Sequence, residues 1–380
     1  MRELRERRGE PRLALVQLAG HRVREPELAQ LGQRLPALAA RGGALAALPG
    51  LGLLTLAGLT PSHWEVLYHD PAQVDDALVE RLVRARPDLV AISALTASIL
   101  EAYALADRLR GEGLCVVLGG LHVTALPDEA AAHADAIVVG EGEPVWAALL
   151  AEAEAGALAP RYGPAPPFAL AEAPVPRFEL LGRRPRPRFT LQTQRGCPLA
   201  CEFCGASRVL GPFREKPVAG VERELAALTA LAPRPLLELA DDNTFAGARD
   251  FEPLLAALAG SGARWFTEVD WRAGERPGLA RGLAAAGCVQ VLVGVETLAP
   301  AFGGLGPKAA ELARVRAALE ALQGEGVAVL ACFVVGGDHD ERRNLDQLAE
   351  FLEEAPFADV QLTLVLLPRS RRNIHRHRVV

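Results

Sequence analysis

QTQRGCPLACEFCGASR, residues 192–208, decides how the rest of this chain is read. Three of the six cysteines in the 380 residues, Cys197, Cys201 and Cys204, fall within eight positions there, spaced CxxxCxxC. Six cysteines are too few for a disulfide framework in a chain of this length, and their crowding indicates a metal or redox site in a reducing compartment. A closed zinc site takes four ligands, commonly from two short-spaced pairs. No second CxxC and no HxxxH accompanies the cluster, and Cys115, Cys288 and Cys332 stand apart. Three thiolates on one loop suit an iron–sulfur cluster instead: they hold three irons of a 4Fe–4S cluster and leave the fourth open to a substrate or cofactor. An open iron implies catalysis rather than electron storage.

Outward from the loop, strand-like runs stand at residues 189–193, 236–239, 265–270, 289–295, 327–335 and 360–366, separated by stretches long enough for helices. Six such βα units predict a partial barrel whose site lies at the C-terminal ends of the strands. Polar residues gather at those ends: Asp241, Asp242 and Asn243, then Asp270, Glu296 and Asp338. Upstream, runs at residues 13–18, 64–68, 89–93, 115–118 and 136–139 are apolar on both faces, which predicts a doubly wound (Rossmann-like, flavodoxin-type) parallel sheet covered by helices. Ligands of such a sheet sit beyond the carboxyl ends of its strands, so residues 93–98, 119–124 and 140–143 are the loops to watch. Between Pro160 and Pro187 lie eight of the 28 prolines, a density that predicts an extended linker. The expected α/β organisation is a doubly wound domain over 1–154, a Pro-rich linker over 155–188, a six-strand partial barrel over 189–367 and a basic tail over 368–380.

Composition sets the outer limits. Half the residues are apolar and 23% charged, which excludes a disordered chain. A net charge of −6 with mixed signs offers no basic surface for nucleic acid. The first residues, MRELRERRGE, are no signal peptide, which predicts a cytoplasmic protein. Residues 42–61 carry no charge, but Pro49 and five glycines interrupt them, and the Leu-rich part 51–59 is too short to cross a bilayer; a buried helix is expected rather than a membrane span. Lys216 and Lys308 are the only lysines among 41 basic residues. That bias reads as codon usage, and no function is taken from it.

Cys197-x-x-x-Cys201-x-Phe203-Cys204, after the first strand of a six-strand βα barrel, resembles the motif of the radical SAM superfamily. The resemblance implies a 4Fe–4S cluster whose unique iron chelates S-adenosylmethionine and whose reduction yields a 5′-deoxyadenosyl radical. It implies Phe203 close to the adenine, Asp241 and Asp242 at the methionine amino group, and Glu268 and Glu296 toward the carboxylate or ribose. Structural lining of a polar barrel mouth is the alternative for each acid.

The domain order is similar to that of the cobalamin-binding radical SAM family, as are GGLHVTALPDE (119–129), ADAIVVGEGEPVW (134–146), PVPRFELL (174–181), LADDNTF, AGCVQVLVGVETL and FVVGGDHDE. By that resemblance Gly119, Gly120 and Gly140 admit cobalamin to the loop backbone, and Ser93 and Thr96 hydrogen-bond its nucleotide tail; tight turns serving packing alone are the competing reading. The function implied is cobalamin-dependent methyl transfer to an unactivated carbon of a small molecule, lipid or natural product, with flavodoxin or ferredoxin as electron donor. A radical cyclase or oxidoreductase that transfers no methyl, and a truncated, inactive cluster-binding protein, stand as alternatives.

Two departures from the family pattern bear on this. Gln17-Leu-Ala-Gly-His21 has no Asp two residues before His21, so the DxHxxG histidine that ligates cobalt in some cobalamin proteins is not expected. The chain also ends in PRSRRNIHRHRVV where relatives continue with a final helix, which predicts a barrel truncated at that helix; a basic arm, or metal binding by His375 and His377, are alternatives for the tail.

Overall fold

Short runs of Val, Ile, Leu and Ala without polar alternation make strands that must be covered on both faces. The computed structural model describes residues 9–18, 50–71, 73–182, 188–199, 201, 204–205, 209, 211–298, 308, 311–336, 340–354 and 357–364. Among them the chain forms two compact units that divide between Arg188 and Phe189.

The first unit holds β1 (Arg12–Gln17), α1 (Leu51–Leu59), β2 (Glu65–His69), α2 (Asp76–Ala85), β3 (Leu89–Ser93), α3 (Ile99–Gly111), β4 (Val116–Gly119), α4 (Leu121–Ala125), α5 (Pro127–Ala131), β5 (Ala136–Val138), α6 (Glu143–Ala155) and β6 (Arg161–Tyr162). All six strands are parallel, in the order β2-β1-β3-β4-β5-β6. The first five reproduce the flavodoxin-type order, which places the switch point between β1 and β3. Alternate residues of one strand enter opposite cores. Leu13 and Leu15 pack with Leu53 of α1 and Trp146 and Leu149 of α6, while Ala14 and Val16 pack with Leu78 and Leu82 of α2 and Leu105 of α3. Each leucine so buried contributes about 1.5–3 kcal/mol. Helix α1 coincides with the Leu-rich segment expected to be a buried helix, and no described helix is long and apolar enough to cross a membrane.

The proline-dense stretch, expected as an extended linker, carries short elements of its own. Arg161 and Tyr162 add a parallel strand to β5, Leu170–Glu172 and Phe178–Leu181 form 3-10 turns, and Leu170, Phe178 and Leu181 are buried. Proline prevents long regular elements but not packing: Arg177 N–H reaches the Leu54 carbonyl of α1 at 3.0 Å, and apolar side chains between the prolines find the first unit's core.

The second unit is a six-strand parallel sheet, ordered β14-β13-β12-β11-β10-β7: β7 (Phe189–Leu191), β10 (Leu236–Leu239), β11 (Arg264–Asp270), β12 (Cys288–Glu296), β13 (Ala328–Val335) and β14 (Asp359–Leu364). Helices α7 (Val218–Leu231), α8 (Glu252–Ser261), α9 (Leu279–Ala285), α10 (Leu312–Gly324) and α11 (Arg342–Glu354) intervene. Strands follow chain order with β7 and β14 unjoined, an open half-barrel among the described residues. One face is apolar and buried, with Leu237, Trp265, Val291, Val329 and Phe333. The other carries Glu238, Glu268, Leu292 and Cys332 and is open to solvent toward the C-terminal ends. Two short strands not read from the sequence, β8 (Gln194–Arg195) and β9 (Arg214–Glu215), pair antiparallel outside this sheet. The expected truncated helix, the basic tail with His375 and His377, and the stretch at His21 lie outside the described residues.

Candidate active site

The cysteine loop begins where β7 ends, and two devices fix its base. The β8–β9 ladder joins Arg195 to Arg214, so the intervening residues form a loop tied at its neck. At that neck Gly196 has φ 76°, and a Cβ there would stand 3.1 Å from the Gly211 carbonyl oxygen, so glycine is required on both counts. The second device is Asp241. Its carboxylate accepts from Thr193 N–H (2.8 Å), Thr193 Oγ1 (2.5 Å), Gln194 N–H (3.1 Å) and Thr244 Oγ1 (3.1 Å), all buried. Asp241, expected at a ligand's amino group, is thus engaged by protein donors and pins the start of the cysteine loop to the end of β10. Full burial pushes its carboxyl upward and the Thr193 hydrogen bonds oppose that.

On the loop, Cys201 is buried and Cys197 and Cys204 are half-buried; none of the six cysteines forms a disulfide. The Cys204 N–H donates to the Cys201 carbonyl at 3.2 Å, a turn that brings the last two cysteines of the spacing together. Burial pushes the Cys197 and Cys201 thiols up, and the Lys308 ammonium pulls both back. Among the described residues no three His, Cys, Asp or Glu side chains gather as a site for a metal ion. Three thiols that bind separate irons of one cluster need not converge on a point, and iron supplies the positive charge that burial withholds from the thiolates. The donor set therefore fits a 4Fe–4S cluster. Phe203 lies outside the described residues, as does Asp338.

Acids and bases surround the thiols. Asp242 is half-buried and takes a hydrogen bond from the Gly196 backbone; burial, then Asp241, raises its carboxyl. Glu268 on β11 is exposed, yet enough protein surrounds it that its carboxyl is pushed up to about 7, first by desolvation, then by Asp242 and Glu238. Asp270 accepts from Arg272 Nε (2.7 Å) and Nη2 (2.9 Å) and from Asn243 Nδ2 (2.8 Å). Burial opposes its charge, but those bonds outweigh it and lower its carboxyl. Glu296, at the end of β12, receives Lys308 Nζ at 2.7 Å. Lys308 and Arg272 were not singled out by sequence reasoning; the rarity of lysine was the one available signal for the former.

In the first unit the expected loops contact one another in turn along the carboxyl edge of the sheet. Leu18 N–H donates to the Ser93 carbonyl at 2.9 Å. Gly120 has φ 110°, and a Cβ there would lie 2.8 Å from the Ala94 carbonyl and 3.2 Å from Ser93 Oγ, so this glycine is demanded by the neighbouring loop. Gly119 has ordinary space, its nearest neighbour being Val138 at 3.7 Å. Thr96 Oγ1 lies 3.1 Å from Nδ1 of buried His122, whose Nε2 is 3.4 Å from Glu129. Gly140, φ 86°, donates its N–H to Thr124 Oγ1 at 2.9 Å. Sequence reasoning missed His122 and Thr124, which fasten these loops together.

Residues 191–352, which carry the thiol loop and the βα half-barrel, match the model of the Radical SAM superfamily. Residues 42–150 match the B12 binding domain, and the chain belongs to the radical SAM enzymes that carry a cobalamin-binding domain. It is 25% identical to the bacteriochlorophyllide d C-12(1)-methyltransferase of Chlorobaculum tepidum over 80% of this chain and 68% of that protein. The fold is similar to the cobalamin-dependent S-adenosylmethionine radical enzyme OxsB, solved with aqua-cobalamin and S-adenosylmethionine bound (TM-score 0.72, 16% identity, 97% of this chain and 55% of that one). It is similar also to the radical S-adenosylmethionine methyltransferase TsrM from Kitasatospora setae, solved with cobalamin and a [4Fe-4S] cluster (TM-score 0.70, 16% identity, 93% and 72%). The chain thus spans little more than half the length of OxsB.

Proposed function

We propose that this chain is a cobalamin-dependent radical SAM methyltransferase, with residues 1–154 holding cobalamin and 189–367 holding the cluster and S-adenosylmethionine. The carrying observation is the tied loop that presents Cys197, Cys201 and Cys204 beside Asp242, Glu268 and the Glu296–Lys308 pair. When bound, a 4Fe–4S cluster supplies the electron that splits S-adenosylmethionine to the 5′-deoxyadenosyl radical, and cobalamin supplies a transferable methyl group. The three cysteines hold the cluster, Asp242 serves the ammonium side of the ligand, Glu268 and Glu296 serve its carboxylate or ribose, and Phe203 is assigned to the adenine by its place in the motif. Asp241 holds the loop and leaves the amino group to Asp242. Ser93, Thr96, Gly119, Gly120 and Gly140 line the cobalamin side. The substrate is a small molecule, lipid or natural product, the electron donor a flavodoxin or ferredoxin, and the compartment cytoplasmic; the mixed charge of −6 supports a partner set without nucleic acid.

The test is product analysis by mass spectrometry after anaerobic reconstitution of the full chain with iron and sulfide, given S-adenosylmethionine, a strong reductant and hydroxocobalamin. 5′-Deoxyadenosine is expected from the wild type and not from Cys201→Ala, with S-adenosylhomocysteine appearing once a methyl acceptor is present. Its absence with iron bound at cluster stoichiometry would overturn the radical reading, and 5′-deoxyadenosine without S-adenosylhomocysteine for every acceptor would overturn methyl transfer.

A further inference from the structure

Both lysines of a chain that otherwise uses arginine are in ion pairs away from solvent. Lys216 Nζ meets Glu224 at 2.6 Å, and Lys308 Nζ meets Glu296 at 2.7 Å with each side chain about one-eighth exposed. The second pair is also strained. Glu296 has φ 72°, in the left-handed region that a non-glycine residue avoids, and the β12–β13 register shifts between Gly294 and Glu296. The distortion turns the Glu296 carboxylate back across Gly294. A Cβ at 294 would lie 2.5 Å from Glu296 Oε1 and 3.1 Å from Lys308 Nζ, so the glycine clears the space in which the pair forms. The backbone of Lys308 is held in turn, its carbonyl accepting from Trp271 Nε1 at 2.9 Å, with the Trp271 ring fully buried.

The Lys308 ammonium acts on both the Cys197 and the Cys201 thiol, drawing each down against the rise that burial causes. Arg272, a second described cation that interacts with these thiols, is committed through Nε and Nη2 to Asp270.

We propose that Lys308 is a positioning residue that sets the cluster's electrochemistry: anchored by Glu296 across Gly294, its ammonium lends fixed positive charge to the cysteine loop and makes acceptance of an electron easier. This rests on the proposed cluster. Adding one electron makes a thiolate-bound cluster more negative, and a nearby cation in a poorly solvated site stabilises that charge. The strain at Glu296 serves to hold the cation in place.

The experiment is a redox titration of the anaerobically reconstituted full chain, the reduced cluster followed by electron paramagnetic resonance without S-adenosylmethionine or substrate. Lys308→Met, which keeps the stem and removes the charge, should move the midpoint to more negative potential. Lys308→Arg, which keeps the charge, should stay nearer the wild type. Glu296→Gln, which removes the opposing charge, should move the midpoint to more positive potential and carries the test should Lys308→Met take up no cluster. Equal potentials in wild type, Lys308→Met and Glu296→Gln would overturn the inference while leaving the cluster assignment intact. Failure of the wild type to assemble a cluster would overturn the assignment and the inference with it.

Discussion

In the first sheet every central strand is apolar on both faces, and the polar groups at its carboxyl edge, Thr96, His122, Thr124 and the Gly140 amide, are spent on one another. In the second sheet one face is equally dry, but the other carries Glu238 and Glu268 and opens to solvent beside the thiols. The difference shows where each unit keeps its chemistry. The first offers a rigid rim of backbone and small residues, suited to a ligand that brings its own reactive centre. The second crowds carboxylates near the thiols, where burial and then the neighbouring acids raise Glu268.

Substitutions can break this contrast, beginning with the largest effect. Asp241→Ala leaves the Thr193 and Gln194 amides and two hydroxyls without their acceptor in a fully buried place, and should destabilise the second unit by about 3–5 kcal/mol, read as a lowered urea midpoint together with loss of iron uptake. Gly120→Ala forces a side chain against the Ala94 carbonyl at positive φ and should cost the first unit about 2–4 kcal/mol while leaving iron uptake by the second unchanged. Glu268→Gln sharpens the comparison through pH. A carboxyl raised from its ordinary value to about 7 is protonated in the folded chain at pH 5, and the folded state is penalised as pH rises from the unfolded value through 7. The cluster-free variant should therefore gain about 1 kcal/mol over wild type at pH 8, with solvent screening allowed for, and little at pH 5. A thermal melt at the two pH values checks the sign. Gly119→Ala, with its nearest contact at 3.7 Å, should change stability by less than about 1 kcal/mol and serves as the comparison for Gly120.

Where apolar runs decided the outcome, the sequence was readable to within a residue or two: Leu89–Ser93 and Leu236–Leu239 form strands with the expected bounds, and Leu51–Leu59 is the expected helix. Hydrophobic periodicity carries that information locally. It carries nothing about β6, β8 and β9, two-residue strands made by pairing rather than by pattern. The cysteine spacing was legible because coordination chemistry acts within one loop. Asp241 and Asp242 were not separable, since adjacent carboxylates differ only in what folds around them: one meets four donors, the other faces the thiols. Composition misled in one place. The scarcity of lysine does reflect bias, but the two survivors stand where tertiary packing surrounds an ammonium, which no count can show.

A flexible polydentate ligand gives up configurational freedom as each donor binds, whereas a macrocycle has given it up beforehand. By joining Arg195 to Arg214, the protein closes residues 196–213 into a ring that carries all three donors. Loop closure is then met in folding, and less configurational freedom is left to lose when the three thiols take up the irons proposed for them.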